Sequence, residues 1–287
     1  MIYQNYSGRE RHVILTAPAA DDPITAIGAK AFFGRRHIER LTLPATVIAI
    51  DDWAFSHMSG LTELDLPSTP IHFGRKVFLD CHNLRRINLT PDHSGLSGLP
   101  YFLADAATVF ADRNHFDPAA AACPDTCLSW LKTYDAVLLS YLQENDLAGF
   151  EPIFYGWVND EDADVSQKPN YLQKQRTNKV RMAFRRLEHD QYLAEADRMV
   201  LENYLREHMP WGSRPFGHTA VWDLLPKQYD HDLVPYQILE QIGALPTEHI
   251  PELVEHLKDV SPEIIAWLLH YQQENQKEFD FFDSLSF

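Results

Sequence analysis

Glycine is sparse, at 12 of 287 residues. Neither a Walker loop nor a Gly-x-Gly-x-x-Gly turn occurs, so loops that cradle phosphates have little material. No nucleophile elbow occurs either. The 14 histidines include no His-Glu-x-x-His, and Tyr229-Asp230-His231-Asp232 is too local to supply three converging ligands; no metal or other cofactor is expected. Cysteine is limited to Cys81, Cys123 and Cys127, an odd count in a long chain, which implies no disulfide framework. Cys123 and Cys127 have three residues between them where redox and zinc pairs usually have two, and no second pair completes a zinc site. All three read as ordinary thiols, packing as small hydrophobes. Basic residues are the minority, 25 against 41 acids, for a formal charge of -16. That balance disfavours a generic nucleic-acid binder, whose affinity comes from lysine and arginine. No apolar run approaches the ~20 residues that span a bilayer, so no membrane partner is expected. The first ten residues contain no apolar signal core, and the chain reads as cytoplasmic.

What is present is enough to build a core. Hydrophobic residues make up 45% and aromatics 12%, which argues against global disorder. The length suits one large domain or two ordinary ones.

The first third of the chain repeats itself. Ile27, Ile50 and Phe73 are spaced by 23; so are Phe32, Phe55 and Phe78; Ile38, Leu61 and Leu84; Leu41, Leu64 and Ile87; and Leu43, Leu66 and Leu89. Ala31, Ala54 and Val77 add a column of small or β-branched residues. Within each unit, Leu41-Thr42-Leu43, Leu64-Asp65-Leu66 and Ile87-Asn88-Leu89 alternate apolar and polar, the signature of a short strand with one buried face. Strands recurring at a fixed interval stack as a parallel sheet. The Ala-Phe segment between them is expected to fold back as a turn or short helical piece, with Phe32, Phe55 and Phe78 stacked in the interior. Pro44, Pro67 and Pro70 fall at or near strand ends, where no ladder donor is needed.

These units stand as Ile27-Gly28-Ala29-Lys30-Ala31-Phe32 with Ile38-Glu39-Arg40-Leu41-Thr42-Leu43-Pro44, Ile50-Asp51-Asp52-Trp53-Ala54-Phe55 with Leu61-Thr62-Glu63-Leu64-Asp65-Leu66-Pro67, and Phe73-Gly74-Arg75-Lys76-Val77-Phe78 with Leu84-Arg85-Arg86-Ile87-Asn88-Leu89. Over about residues 12–90 the pattern resembles the short-repeat bacterial leucine-rich repeat proteins of the BspA-like class. The resemblance implies a solenoid fold and places Cys81 at the position of a packed turn cysteine. Members are commonly secreted surface proteins, and the lack of an apolar leader in this sequence counts against expecting an adhesin role. Val13-Ile14-Leu15 is expected to supply a leading strand, with Ala17–Pro23 inserted before the first full unit.

Three or four units are near the lower limit for a stable solenoid, so the last coil needs a cap from residues beyond Leu89. The strands' outward positions form two columns, Arg40, Glu63, Arg86 and Thr42, Asp65, Asn88. With strands about 4.8 Å apart, the first column alternates in charge between neighbours. It serves either as a solvated salt-bridge ladder or as a recognition surface for a partner.

Residues 91–124 read as turn and linker chemistry, after which helical periodicity takes over. Cys127, Leu131, Tyr134, Leu138, Tyr141 and Leu142 form one stripe; Val180, Ala183, Phe184 and Leu187 a second; Leu201, Tyr204 and Leu205 a third. A short piece covers Thr219–Leu225. Thr247 and Ser261, the latter followed by Pro262, suit helix N-caps. The run from Pro262 to Tyr271 resembles the second helix of an ankyrin-type pair. Phe279–Phe287 is expected to be an apolar tail. Against the acidic average, Lys168, Lys174, Arg176, Lys179, Arg181, Arg185 and Arg186 follow one another with no acid between, just after the acidic run 159–164. The expected role is a solvated helix face offsetting that run, with nucleic-acid binding through Lys174–Arg186 as the alternative.

The fold class that follows is α+β: a short leucine-rich-repeat solenoid with a parallel sheet, then an α-helical domain. The boundaries are 1–95 for the repeat domain, 96–124 for a transition or cap, and 125–287 for the helical domain. The expected function is non-enzymatic protein–protein interaction, through Arg40, Thr42, Glu63, Asp65, Arg86 and Asn88 or the groove between the halves. The alternative is an enzyme or small-ligand binder with a cleft between the halves near Trp211, His218 and Trp222.

Overall fold

In the computed structural model, which describes residues 1–17, 21–111, 116–150, 153–154, 163–164, 167–209 and 220–284, the repeats wind as a parallel β-solenoid of about four coils. Each coil contributes two short strands. The first set is β1 (Ile2–Tyr3), β3 (Ala26–Ile27), β5 (Ala49–Ile50) and β7 (His72–Phe73); the second is β2 (His12–Ile14), β4 (Arg40–Thr42), β6 (Glu63–Pro67) and β8 (Arg86–Thr90). Each set forms a four-stranded parallel sheet in chain order. The second sheet holds the period-two strands foreseen from sequence. The first sheet was not foreseen, because two-residue strands leave no alternation to read.

The apolar columns meet in register. Val13, Leu41, Leu64 and Ile87 pair along one sheet, and Tyr3, Ile27, Ile50 and Phe73 along the other. Between the sheets the aromatic column forms as expected, with ring centroids 5.7 Å apart for Phe32–Phe55 and 5.8 Å for Phe55–Phe78. Tyr3 and Tyr6 extend it at one end and Phe116 at the other. Cys81 is buried beside it and its thiol donates to the Phe55 carbonyl at 3.0 Å. Burial pushes that thiol's pKa up to about 12, which marks it as structural and unreactive.

The Ala-Phe segments are turns with a repeating backbone device. Lys30, Trp53 and Lys76 adopt left-handed conformations (φ 59°, 63° and 54°), and four residues later so do Gly34, His57 and Asp80 (φ 69°, 60° and 59°). Between these corners the coils are stitched together by N–H donors to the next coil. Lys30, Phe32 and Gly34 donate to the carbonyls of Asp52, Ala54 and Ser56, and Trp53, Phe55 and His57 to those of Arg75, Val77 and Leu79. Only Gly34 adopts the conformation without a Cβ penalty.

Contacts divide the chain into two compact units, Met1–Leu138 and Leu139–Phe287. The first unit includes the cap. Helix α1 (Leu99–Thr108) lies within the stretch expected to be turns and linker; Pro100 falls in its first turn, where the missing N–H is harmless. α1 packs against β8. Helix α2 (Pro118–Ala122) is capped by Asp117, which accepts from the Ala120 N–H. Helix α3 (Cys127–Gln143) follows. Its Tyr134 is fully buried among the rings of Phe102, Phe110 and Trp130.

The second unit contains a two-residue antiparallel pair, β9 (Ile153–Phe154) and β10 (Ala163–Asp164), and helices α4 (Lys168–Glu188), α5 (Glu195–Glu207), α6 (Ala220–Gln228), α7 (Val234–Gln241), α8 (Ile250–Leu257) and α9 (Pro262–Ser284). α4 packs against α5, α6 and α7. This central place overturns the solvated-face expectation: Lys179, Arg181, Arg185 and Arg186 are buried. The Arg186 guanidinium donates to the carbonyls of His189 and Gln191, so backbone oxygens help to hold its charge in the interior. Ser261 accepts from the Ile264 N–H at the start of α9, as an N-cap should. Thr247 instead opens a 3-10 turn, and His249 precedes α8 without a side-chain cap bond. α9 continues through position 284 where a tail was expected; the side chains of Phe279, Phe281, Phe282 and Phe287 lie outside the described residues, as does most of the acidic run 159–164.

Two outcomes follow. Phe55→Ala removes a fully buried ring with aromatic neighbours on both sides and should destabilise the protein by about 3–5 kcal/mol in urea unfolding. Lys30→Gly should hold or raise stability by up to about 1 kcal/mol, while Lys30→Val should lower it, because a β-branched residue resists φ near +60°.

Candidate functional site

The sheet β2–β4–β6–β8 presents two outward rows. His12, Arg40, Glu63 and Arg86 are in register in one; Ile14, Thr42, Asp65 and Asn88 in the other. Each follows from alternation: with Val13, Leu41, Leu64 and Ile87 turned inward, their neighbours must face out. All six residues expected at the site therefore lie side by side on one face. His12 and Ile14 join them from the leading strand, and Ile14 is 72% exposed.

Asp65 ties the face together. Thr42 Oγ1 donates to its Oδ2 at 2.6 Å, and Asn88 Nδ2 donates to its Oδ1 at 2.7 Å. Arg40 reaches across with Nε to Oδ2 at 3.2 Å and a terminal nitrogen to Oδ1 at 3.3 Å. Three strands are thus joined through one carboxylate, whose side chain is 16% exposed. Burial pushes its pKa up, but the donors Thr42, Asn88 and Arg40, with the charge of Arg40, outweigh burial and hold it below its ordinary value.

The charged row is only partly paired. Arg40 lies 3.2 Å from Glu63. Arg86 instead sits over the ring of Tyr101 on α1, 5.4 Å from its centroid. That contact escaped the sequence reading because α1 itself did. At the leading strand, Arg11 bonds Glu39 at 2.8 Å and His12 lies 3.7 Å from the same carboxylate. The face therefore offers fixed, alternating charges at its centre and an exposed aliphatic side chain at its β2 margin. Its mixed charges would complement a surface of opposite sign pattern.

Of the residues named for a cleft, one lies among the described residues. Trp222 is buried with its ring against His249, centroids 5.7 Å apart. Trp211 and His218 lie outside the described residues.

Asp65→Ala should destabilise the protein by about 1–3 kcal/mol at neutral pH, since it strands three donors on a half-buried face. The folded carboxyl titrates below its ordinary value of 3.8. Its stabilising contribution is therefore complete above that pH and lost as pH falls below it. Urea unfolding at about pH 6 and about pH 3 should show a smaller drop for Asp65→Asn than for the unmodified protein.

The family comparison agrees with the repeats. Residues 12–98 match a family model whose description reads BspA type leucine rich repeat region (6 copies). A similar solved structure is the crystal structure of the T. pallidum leucine rich repeat protein: 28% identity, TM-score 0.29, covering 30% of this chain. This chain spans about 40% of the length of that one. No curated protein matches significantly. Over residues 12–98, then, the chain is similar to the BspA-type leucine-rich repeat region.

Proposed function

We propose that this protein is a non-enzymatic recognition module that binds a protein partner through the open face of the β2–β4–β6–β8 sheet. The leucine-rich repeat family itself points to protein–protein interaction. The observation that carries the finer reading is the Asp65 network. It holds Arg40 in place before any partner arrives, so less side-chain freedom is lost on binding. Arg40, 47% exposed, and Glu63, 29% exposed, remain available beside exposed Arg86, His12 and Ile14. Regularly spaced charges of both signs favour a partner strip of complementary sign pattern and give orientation more than bulk affinity.

Burial of Lys179, Arg181, Arg185 and Arg186 weighs against the nucleic-acid alternative, because an interior cation does not meet a phosphate backbone.

The test begins with a partner recovered by crosslinking in the source cells and then purified. Glu63→Lys and Arg86→Glu should each weaken its binding about ten-fold or more, with a marked dependence on salt. Ile48→Asp, an exposed position just before β5 on the other sheet, is the control and should leave binding unchanged. If both reversals keep the Kd within about two-fold, about 0.4 kcal/mol, the sheet face is not the binding surface.

A further inference from the structure

A cleft of about 710 Å³ lies within the second unit, between the residues that follow α3 and the facing sides of α4 and α5. That volume suits a small polar molecule. Its floor is an ion-pair group. Asp146 accepts from Lys179 Nζ at 2.8 Å and from Arg176 Nε at 2.8 Å, so one carboxylate serves two cations. Lys179 is fully engaged: its ammonium also donates to the Glu144 carbonyl at 2.6 Å and lies 3.5 Å from that of Leu142, closing the end of α3. Arg176 is not. Its side chain is 40% exposed, and its two terminal nitrogens have no partner among the described residues.

Other polar groups line the same cleft. The Tyr204 hydroxyl is buried with no hydrogen-bond partner among the described residues, and Tyr204 as a whole is 7% exposed. Burial pushes its pKa up, with Asp146 and Tyr141 acting the same way and Arg176 opposing, so it stays a protonated donor. His208 stacks on Tyr204 at 4.0 Å and donates from Nδ1 to the Tyr204 carbonyl at 2.8 Å. Lys168 is exposed on the same lining. Of the acids there, Asp146 is consumed by the two cations, Glu144 is already engaged, and Glu207 is exposed to solvent.

We propose that this cleft binds a small molecule through an oxyanion, a carboxylate or a phosphate, held by the terminal nitrogens of Arg176 with the Tyr204 hydroxyl as second donor. A planar guanidinium fork suits either group. An arriving oxygen would also satisfy a buried hydroxyl that is otherwise unmatched, and an unmatched buried donor is costly to keep. The site is independent of the sheet face and of what binds there.

The full chain is titrated calorimetrically at low ionic strength with inorganic phosphate, with succinate and, as a neutral control, with glycerol. Saturable binding of phosphate or succinate, and none of glycerol, is expected. Phosphate alone assigns a phosphate ester, succinate alone a carboxylate. Arg176→Gln should weaken binding ten-fold or more, and Tyr204→Phe about three- to ten-fold. Should Arg176→Gln fail to fold, Tyr204→Phe carries the test, since it removes one oxygen that has no partner to lose. Absence of binding by either anion at about 10 mM, or affinity unchanged in the variants, overturns the proposal.

Discussion

Register between coils is the constraint on which the first unit depends. Each strand is too short to stand alone, and a two- or five-residue strand acquires stability only from the copy before and the copy after it. The interior aromatics enforce that register. Phe55 touches Phe32 on one side and Phe78 on the other, so a slip in any coil would break two ring contacts and two backbone ladders together. The outward rows inherit their order from this inner one. Asp65 meets Thr42 and Asn88 only because Leu64 is locked between Leu41 and Ile87.

The second unit is organised differently, around a helix charged on its surface of contact. α4 carries Lys179, Arg181, Arg185 and Arg186 into the interior, where desolvation opposes the charged forms unless each finds oxygen partners. Lys179 finds them at the end of α3 and Arg186 at its own helix end. A buried charge of this kind rewards one arrangement of neighbours over others, whatever its net effect on stability.

Much of the solenoid was legible because its columns recur at one spacing. The leading coil was only half legible. In the later coils fourteen residues separate the two inward columns, as from Ile27 to Leu41, and nine carry the chain on to the next coil, as from Leu41 to Ile50. In the first coil the intervals are ten, from Tyr3 to Val13, and fourteen, from Val13 to Ile27. The short first arc has no room for the pair of left-handed corners, so the pattern dissolves even though the coil is present. Helix α1 was hidden by Pro100, which reads as a breaker unless its place in the first turn is known. The burial of α4 was invisible for another reason: a run of arginines looks the same whether water or backbone carbonyls receive it. On the sheet face, alternation alone placed all six outward residues correctly. Their mutual bonding through Asp65 depends on rotamers, which no spacing reveals.

Because Asp65 is saturated by neighbours on both flanking strands, the middle of the sheet is effectively frozen against change. Altering Thr42 or Asn88 would disturb a carboxylate before it altered the exposed surface. Variation of this face, in nature or in a designed library, is therefore easiest at the flanks, where Arg86 and Ile14 can be exchanged without unmaking the centre.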